Sequence, residues 1–391
     1  MTPAARLQAA IEVLDEVIAS ARDDGPPADA IVSRYFKQRR YAGSGDRRAV
    51  RELVFRAIRR TAERPVSGRA AIVGLADDDS SLLDLFGQPR GPEPRDPADP
   101  VAAAGDIPDW IHGELSPRVS AEEWPALLER APLDVRVNVA RTSRDEMLAR
   151  FAGSAPTPIS PWGIRLTADT PVDKMPEFGA GLVEIQDEGS QLIALACGAG
   201  GEVRVLDLCA GAGGKALAIA SASPKAIILA TDSNRTRLSK LPERAARAGA
   251  TIETRLLNPP NELAELDDWR GEADVVLVDA PCSGSGTWRR NPEGRWRLTP
   301  ERLDRVVALQ SRLLDIAAEM ARPGGRLVYA VCSIVSREGA GQIEDFISRR
   351  SSWTVQETEI AGGRPDGGGR LLTPGHDGTD GFFVARLGSP C

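Results

Sequence analysis

Two cysteines and an aspartate have the residue types and spacing for covalent chemistry. Cys282 lies in VDAPCSGSGTWRRNP and Cys332 in YAVCSI, and each follows an apolar run that predicts a buried strand. Asp279 lies three residues before Cys282. Because ligands bind at the carboxyl ends of strands in open α/β sheets, we expect these three side chains to share one site. A lone cysteine is more often a small buried hydrophobe, but this pair indicates a nucleophilic thiol.

A thiolate would suit chemistry on a cytosine ring. Carbon 5 of cytosine is a poor nucleophile, but addition of a thiolate to carbon 6 makes the ring an enamine that can attack an electrophilic methyl group. A carboxyl group near ring N3 could share a proton, and Asp279 is the candidate. A free thiol has a pKa of about 8.5, so a cation should stabilise the thiolate. Lys215, Arg289 and Arg290 are the candidates, and the sequence does not choose among them.

A glycine-rich loop offers a nucleotide site. In LDLCAGAGGKALA, Gly211, Gly213 and Gly214 allow a tight turn with the backbone close to a ligand at the start of a helix. Asp232 ends the next strand, where a carboxylate can accept ribose hydroxyls. Dehydrogenases and methyltransferases share this arrangement, so an NAD-dependent dehydrogenase stays open here, although it leaves both cysteines unexplained.

Two segments could bind RNA. A stacked base must be flipped before a thiol can reach carbon 6, and the segment after Cys282 could hold such a nucleotide. Its aromatic and cationic residues are Trp288, Arg289, Arg290, Arg295, Trp296 and Arg297. Between residues 34 and 64, eleven Lys/Arg stand against three Asp/Glu. The alternatives are a packed lid for the first segment and a solvated helix face for the second.

The elements that position these residues follow from periodicity. Apolar runs VRVLDLC, AIILATD, TIETRLL, ADVVLVDAP and GRLVYAVCS alternate with segments long enough for helices. They predict an α/β fold over residues 181–391, with a doubly wound, mostly parallel sheet and FFVARL as an edge strand. Residues 107–180 predict a small α+β subdomain and residues 1–76 an all-helical domain, with a linker rich in Asp, Pro and Gly at 77–106.

Composition narrows the class of protein. The 391 residues are 42% hydrophobic and 27% charged, which is typical of a globular chain of two or three domains. No run reaches the roughly 20 apolar residues of a membrane span. The few, widely spaced cysteines predict a reducing cytoplasm. Five scattered cysteines and two histidines predict neither a disulfide framework nor a metal site. We also expect a monomer.

At these residues the chain resembles the RsmB/Sun family of RNA cytosine-5 methyltransferases, from about Pro108 to its end. DLCAGAGGK is similar to the family's DLCAAPGGK, DAPCSGSGTWRRNP to DAPCSGxGxxRRxP, and YAVCSI to YxTCSI, with Val331 replacing threonine. RVN at 136–138, IQDEGSQL and DGTDGFFVARL are similar to further family blocks. GSGDRRAVRELVFRAIRR resembles the NusB-like RNA-binding module of the ribosomal RNA members.

The resemblance implies S-adenosylmethionine as cofactor and RNA as substrate, with ribosomal RNA favoured and transfer RNA second. It implies Cys332 as nucleophile, Cys282 as the cysteine that aids product release, and Asp279, with Lys215, beside the reacting groups. The implied cofactor contacts are Cys209, Ala210, Gly211, Ala212, Gly213, Gly214, Lys215, Asp232, Asn258 and Asp279. The expected RNA contacts are Trp288, Arg289, Arg290, Arg136 and Asn138. Asn258 replaces the family's usual aspartate. A catalytically idle assembly factor would leave the cysteines without a role.

Overall fold

A computed structural model describes residues 1–23, 25–168 and 170–391. The chain folds into two units, and each contains segments that are distant in sequence. The first unit is Met1–Glu114, Trp124–Glu129 and Thr287–Pro300, and the second is Leu115–Glu123, Arg130–Gly286 and Glu301–Cys391. In the part of the chain described, no helix is long and apolar enough to cross a membrane.

Helices dominate the first unit and flank the sheets of the second. In chain order the α-helices are α1 (Pro3–Arg22), α2 (Ala28–Gln38), α3 (Ser44–Arg60), α4 (Gly68–Asp78), α5 (Arg144–Arg150), α6 (Pro176–Gly179), α7 (Glu188–Ala196), α8 (Gly214–Ala222), α9 (Arg235–Leu238), α10 (Leu241–Ala248), α11 (Glu262–Glu265), α12 (Gly294–Arg297), α13 (Pro300–Met320), α14 (Ala340–Arg349) and α15 (Pro374–Asp377). Short 3-10 helices lie at Ser80–Leu85, Asp109–Glu114, Ala121–Glu123, Pro125–Leu127, Val172–Lys174, Asp267–Trp269 and Ser285–Thr287.

Strands form two sheets, both in the second unit. In chain order they are β1 (Leu133–Val137), β2 (Ala155–Pro156), β3 (Gly163–Leu166), β4 (Val183–Ile185), β5 (Arg204–Asp207), β6 (Ile227–Asp232), β7 (Glu253–Leu256), β8 (Ala273–Asp279), β9 (Ala321–Val331), β10 (Thr354–Gln356), β11 (Arg364–Asp366), β12 (Gly369–Leu372) and β13 (Phe382–Gly388).

The helical unit has its own apolar core. Leu7 and Leu14 of α1 lie on one helix face and are fully buried with Ile58 of α3 and Ile72 of α4. The Thr2 hydroxyl accepts a hydrogen bond from Ala5 N–H and caps the start of α1. The predicted helical domain is therefore confirmed as a helical unit.

Residues 77–106, predicted as a linker, lie against these helices. Arg69 of α4 donates to Pro94 O (2.9 Å) and forms an ion pair with Asp99, while Ala102 N–H donates to Ala70 O (3.1 Å). The segment is therefore held by specific contacts within the first unit. The domain boundaries that we drew from the sequence stay a prediction.

The large sheet has the order β11-β12-β13-β9-β8-β5-β6-β7, with β10 also paired to β13. From β9 to β7 neighbouring strands are parallel, which confirms the predicted doubly wound α/β fold. The strand predicted at FFVARL is present as β13, but its edge position is wrong. β13 pairs antiparallel with β9 on one side and with β12 and β10 on the other. β10 and β12 are short, which weakens their alternation pattern in the sequence.

The smaller sheet, β2-β3-β1-β4, is antiparallel and confirms the predicted α+β subdomain. Its core contains Val135 and Val137 of β1 together with Ile164 of β3 and Met147 of α5. Both sheets therefore belong to one unit, and the site described next lies at the carboxyl ends of the large sheet's parallel strands.

Candidate active site

The two predicted cysteines lie together. Parallel pairing places Asp279 of β8 opposite Ala330 of β9, so Cys282 and Cys332 follow neighbouring strand ends. Their Sγ atoms are 3.2 Å apart, and both side chains are partly buried. The topology thus brings two thiols, 50 residues apart in sequence, into direct contact.

The pKa values of three of the cysteines are raised. The hydrogen bond with Cys332, followed by burial, raises the pKa of Cys282 well above its ordinary value. Burial also raises the pKa of Cys209 well above its ordinary value and that of Cys197 to about 12. These three cysteines therefore remain thiols near neutral pH.

Lys215 provides a cation beside this pair. Its Nζ donates to Asp279 Oδ2 at 2.6 Å, and Lys215 is only 8% exposed. Burial lowers the lysine pKa, but attraction to Asp279 and then to Cys332 outweighs it, so the pKa is raised. Lys215 therefore stays protonated and supplies a positive charge near the two cysteines. The other candidate cations, Arg289 and Arg290, belong to the first unit.

The glycine-rich turn joins β5 to α8. Gly211 and Gly213 have φ angles of +57° and +81°, which favour glycine. A Cβ atom on Gly213 would lie 2.2 Å from Leu241 Cδ1, so a side chain is excluded there. Gly214 begins α8, whose first backbone N–H groups are left free for a ligand by the helix geometry.

Asp207, at the end of β5, was missed as a site residue. The side chain is 1% exposed, and neither carboxylate oxygen has a hydrogen-bond partner among the described residues. Burial and then repulsion from Asp279 raise its pKa to about 7. A buried carboxylate of this kind matches a cationic group of a ligand. The signal in the sequence is the aspartate that begins DLCAGAGGK, at the predicted end of its strand.

Asp232 and Asn258 lie at the ends of the next two strands. Asp232 accepts from the backbone N–H groups of Gly211 (2.7 Å) and Asn234 (2.6 Å), so it braces the glycine turn. Asn258 is exposed, and its Nδ2 donates to Glu265 Oε1 at 2.8 Å. Contact of Asn258 with an adenine ring stays a prediction.

Arg136 and Asn138 do not have the role that we predicted. They are 2% and 5% exposed, too buried for direct RNA contact in this structure. Arg136 Nη1 donates to Gln186 Oε1 (2.5 Å) and to Gly214 O (2.8 Å), and burial lowers the arginine pKa to about 10. Asn138 Nδ2 donates to the carbonyls of Gly181 and Ala248, each at 2.9 Å. Both residues instead fasten the smaller sheet to the glycine turn and α10.

The segment after Cys282 also differs from the prediction. Trp288 and Arg289 are 1% and 5% exposed, so neither offers a free face to a base in this structure. Further along, Arg295 Nη2 donates to Ile58 O at 2.6 Å and Trp296 Nε1 to Thr61 O at 2.9 Å. These residues therefore pack within the first unit, which agrees with the alternative of a packed segment rather than an RNA-binding one. Arg290 is partly buried, and its RNA contact stays a prediction.

Comparison with known families agrees with this geometry. Residues 194–388 match the family model described as 16S rRNA methyltransferase RsmB/F. The ribosomal RNA small subunit methyltransferase B of Xylella fastidiosa is 36% identical over 71% of this chain and 65% of its own length. The protein of that name from Xanthomonas campestris is 34% identical over 73% of this chain and 67% of its own. The protein of that name from Enterobacter sp. (strain 638) is 34% identical over 72% of this chain and 66% of its own length. The chain thus spans about two thirds of these relatives.

Solved structures share the fold. The crystal structure of PH0851 superposes with a TM-score of 0.72 over 99% of both chains, at 20% identity. A methyltransferase homologue from Pyrococcus horikoshii has a TM-score of 0.59 at 26% identity, over 68% of this chain and 89% of its own. NSun6 from the same organism, solved with SFG, has a TM-score of 0.60 at 19% identity, over 68% and 92%. The strand-end cysteines and the glycine turn agree with the family model and with the curated relatives. The chain therefore belongs to the RsmB/F family of S-adenosylmethionine-dependent 16S rRNA methyltransferases.

Proposed function

We propose that this chain transfers a methyl group from S-adenosylmethionine to carbon 5 of a cytosine in 16S ribosomal RNA. The observation that carries the proposal is the pair of strand-end thiols 3.2 Å apart, Cys282 and Cys332, beside the Lys215–Asp279 ion pair. Family membership supports ribosomal RNA as the substrate class. A nicotinamide dehydrogenase would use neither thiol, so we set that alternative aside.

The nucleophile in this scheme is Cys332. Its thiolate, stabilised by Lys215, adds to carbon 6 of the ring, and the electron pair moves toward N3, which takes a proton that the Lys215 ammonium group supplies through Asp279. Carbon 5 then takes the methyl group, and S-adenosylhomocysteine is the leaving group. Water beside Cys282 accepts the carbon 5 proton, and the ring then expels the Cys332 sulfur as a thiolate, to which the Cys282 thiol can donate a hydrogen bond. The raised pKa of Cys282 supports the division of roles, since it keeps this thiol protonated during attack.

The cofactor fits residues at the ends of β5 and β6. When bound, S-adenosylmethionine supplies an electrophilic methyl group. The N-terminus of α8 and the glycine turn suit the methionine carboxylate, and Asp232 suits the ribose hydroxyls. The unpartnered, buried carboxylate of Asp207 suits the cofactor's ammonium group. The residues present therefore suit the carboxylate, the ammonium group and the ribose hydroxyls of the donor.

Cofactor affinity should depend on pH through Asp207. Its pKa is about 7, so below that value a proton competes with the ligand's ammonium group, and above it the carboxylate is free to bind. Burial raises this pKa most, Asp279 and then Asp232 raise it further, and Lys215 lowers it. We expect the Kd of S-adenosylhomocysteine, measured by calorimetry, to fall about tenfold between about pH 6 and pH 8. Asp207→Asn should bind more weakly with a flat profile; a variant that kept the wild-type slope would contradict the assignment.

The reaction itself is tested with purified protein, labelled S-adenosylmethionine, and undermethylated 16S ribosomal RNA or transfer RNA, followed by bisulfite sequencing of the product. We expect a single protected cytosine in 16S ribosomal RNA. Protection only in transfer RNA would make transfer RNA the substrate, and no methyl transfer to either RNA would favour the assembly-factor alternative.

Replacing Cys282 by alanine should trap the intermediate. Without the release thiol, the bond between Cys332 and carbon 6 should persist after methyl transfer, giving a protein–RNA band on a denaturing gel. The matched control is the double variant Cys282→Ala/Cys332→Ala, which keeps the first change and lacks the bonding sulfur. If the double variant formed the same band, or the single variant formed none, the two-cysteine scheme would be wrong.

We also infer where the chain works and how it holds RNA. Ribosomal RNA is made and processed in the bacterial cytoplasm, which supports a cytoplasmic location.

The basic stretch on α2 and α3 supports binding of phosphate groups by the helical unit, where Tyr41 is 75% exposed and available to a base. A monomer without a metal ion is the simplest form consistent with this scheme.

A further inference from the structure

A buried glutamate lies behind the two cysteines. Glu338, between β9 and α14, is 0% exposed and is six residues from Cys332 along the chain. It does not belong to the strand ends that face the cofactor. A fully buried carboxylate is costly unless its oxygens accept hydrogen bonds, and Glu338 accepts four. The partners of those bonds indicate what the carboxylate does.

One carboxylate oxygen holds the turn of the first cysteine. Glu338 Oε1 accepts from Ser283 N–H at 2.7 Å and from Gln310 Nε2 at 2.9 Å. The same Gln310 Nε2 also donates to Pro281 O at 2.9 Å. Pro281 and Ser283 are the two neighbours of Cys282, so this turn is fixed on both sides of the thiol.

The other oxygen joins the two cysteine turns. Glu338 Oε2 accepts from Ser333 Oγ at 2.5 Å and from Ser283 Oγ. Ser333 and Ser283 directly follow Cys332 and Cys282. Ser285 Oγ lies 3.0 Å from Ser333 Oγ and accepts from Ile334 N–H, which adds a second link. A single carboxylate thus bonds the residue after each thiol.

We propose that Glu338 is a positioning residue of the two-cysteine site, which fixes both turns so that the sulfurs of Cys282 and Cys332 stay in contact. The inference rests on the proposed function for its effect on methyl transfer, but its geometric part concerns the free protein. Misplacement of a reacting atom by about 1 Å can cost about 100-fold in rate. The charge of Glu338 also contributes to the raised pKa of Cys282, which keeps that thiol neutral.

The kinetic test compares two substitutions at this position. In Glu338→Ala both turns lose their common anchor, and we expect kcat for methyl transfer to fall about 100-fold. In Glu338→Gln the amide oxygen can still accept from Ser283 N–H and Gln310, while the serine hydroxyls can rotate to accept from the amide. We therefore expect Glu338→Gln to restore kcat to within about tenfold of wild type. Glu344→Ala, an exposed site on α14, is the control and should be unaffected.

Measurement of cofactor affinity separates a positioning role of Glu338 from a general loss of structure. The Kd of S-adenosylhomocysteine should stay within about twofold of wild type in both Glu338 variants, because Asp207 and Asp232 do not bond Glu338. A parallel loss of kcat and cofactor affinity would show general damage and overturn the proposal. If Glu338→Ala does not fold, Ser333→Ala removes one of the four bonds and should give a smaller loss of kcat with the same unchanged Kd.

A disulfide measurement tests the geometry without RNA. Diamide oxidises two neighbouring thiols to a disulfide and takes up their two hydrogens, so its rate reports how often the sulfurs meet. Mass spectrometry should find the Cys282–Cys332 bond in wild type, formed about tenfold or more slowly in Glu338→Ala. Equal rates together with equal kcat would overturn the inference. If wild type methylates no RNA, the proposed function fails, and the disulfide rates alone still decide the role of Glu338.

Discussion

Methyl transfer should be abolished when Cys332 is replaced by alanine. In the proposed scheme the sulfur of Cys332 makes the covalent bond that turns carbon 5 into a nucleophile, and no described residue duplicates it. Cys282, the nearest thiol, is kept protonated by its raised pKa, and Cys209 is kept protonated by burial. We expect kcat to fall by at least about 10⁴-fold, as for removal of other covalent nucleophiles.

Binding should survive this change. The side chain of Cys332 is partly buried, so removing one sulfur should cost little stability and leave the Kd values for RNA and S-adenosylhomocysteine close to wild type. Transfer of labelled methyl groups under single-turnover conditions separates the chemical step from binding. The matched control is Cys391→Ala, an exposed thiol, which should keep full activity. Residual transfer above a hundredth of wild type would reassign the nucleophile.

The sheet could be predicted because its strands are buried on both faces. Continuous apolar runs such as ADVVLVD predict buried parallel strands. The ends of these strands then place Asp279 and Cys282 at the edge of the sheet where ligands bind. An apolar run does not determine which residues of two distant strands pair with each other. The 3.2 Å contact between Cys282 and Cys332 therefore required the structure, although their residue types had indicated a pair.

Arginine and tryptophan misled the sequence analysis for a physical reason. The same guanidinium that binds phosphate can bind backbone carbonyls inside a protein, and the same indole can fill a core. Arg136 holds Gly214 O, and Arg295 holds Ile58 O across a sequence separation that no local pattern reveals. Glu338 was missed for the converse reason, since a glutamate near a helix start usually predicts a solvated cap rather than a buried acceptor of four bonds.

The second large effect is expected at Asp279. Its carboxylate binds Lys215 Nζ at 2.6 Å and is 29% exposed, so it can meet the base while its charge is balanced. Asp279→Asn keeps a hydrogen-bond acceptor for Lys215 but cannot pass a proton from Lys215 to ring N3. We expect kcat to fall about 10²- to 10⁴-fold, the usual contribution of a positioned acid or base.

The choice of asparagine separates chemistry from folding. Asp279→Ala would leave the ammonium group of Lys215 buried without its counter-ion, at a cost of about 3–5 kcal/mol in the free energy of unfolding, so loss of activity there would be ambiguous. Asp279→Asn also lacks the counter-charge, but its amide oxygen still accepts from Lys215, so it should lose less stability than Asp279→Ala. In the Cys282→Ala background it should also slow formation of the protein–RNA adduct by the same factor as kcat, because attack at carbon 6 and charge at N3 belong to one step. Normal adduct formation with slow methyl transfer would place Asp279 after the attack instead, and unchanged rates in both assays would remove it from the chemistry.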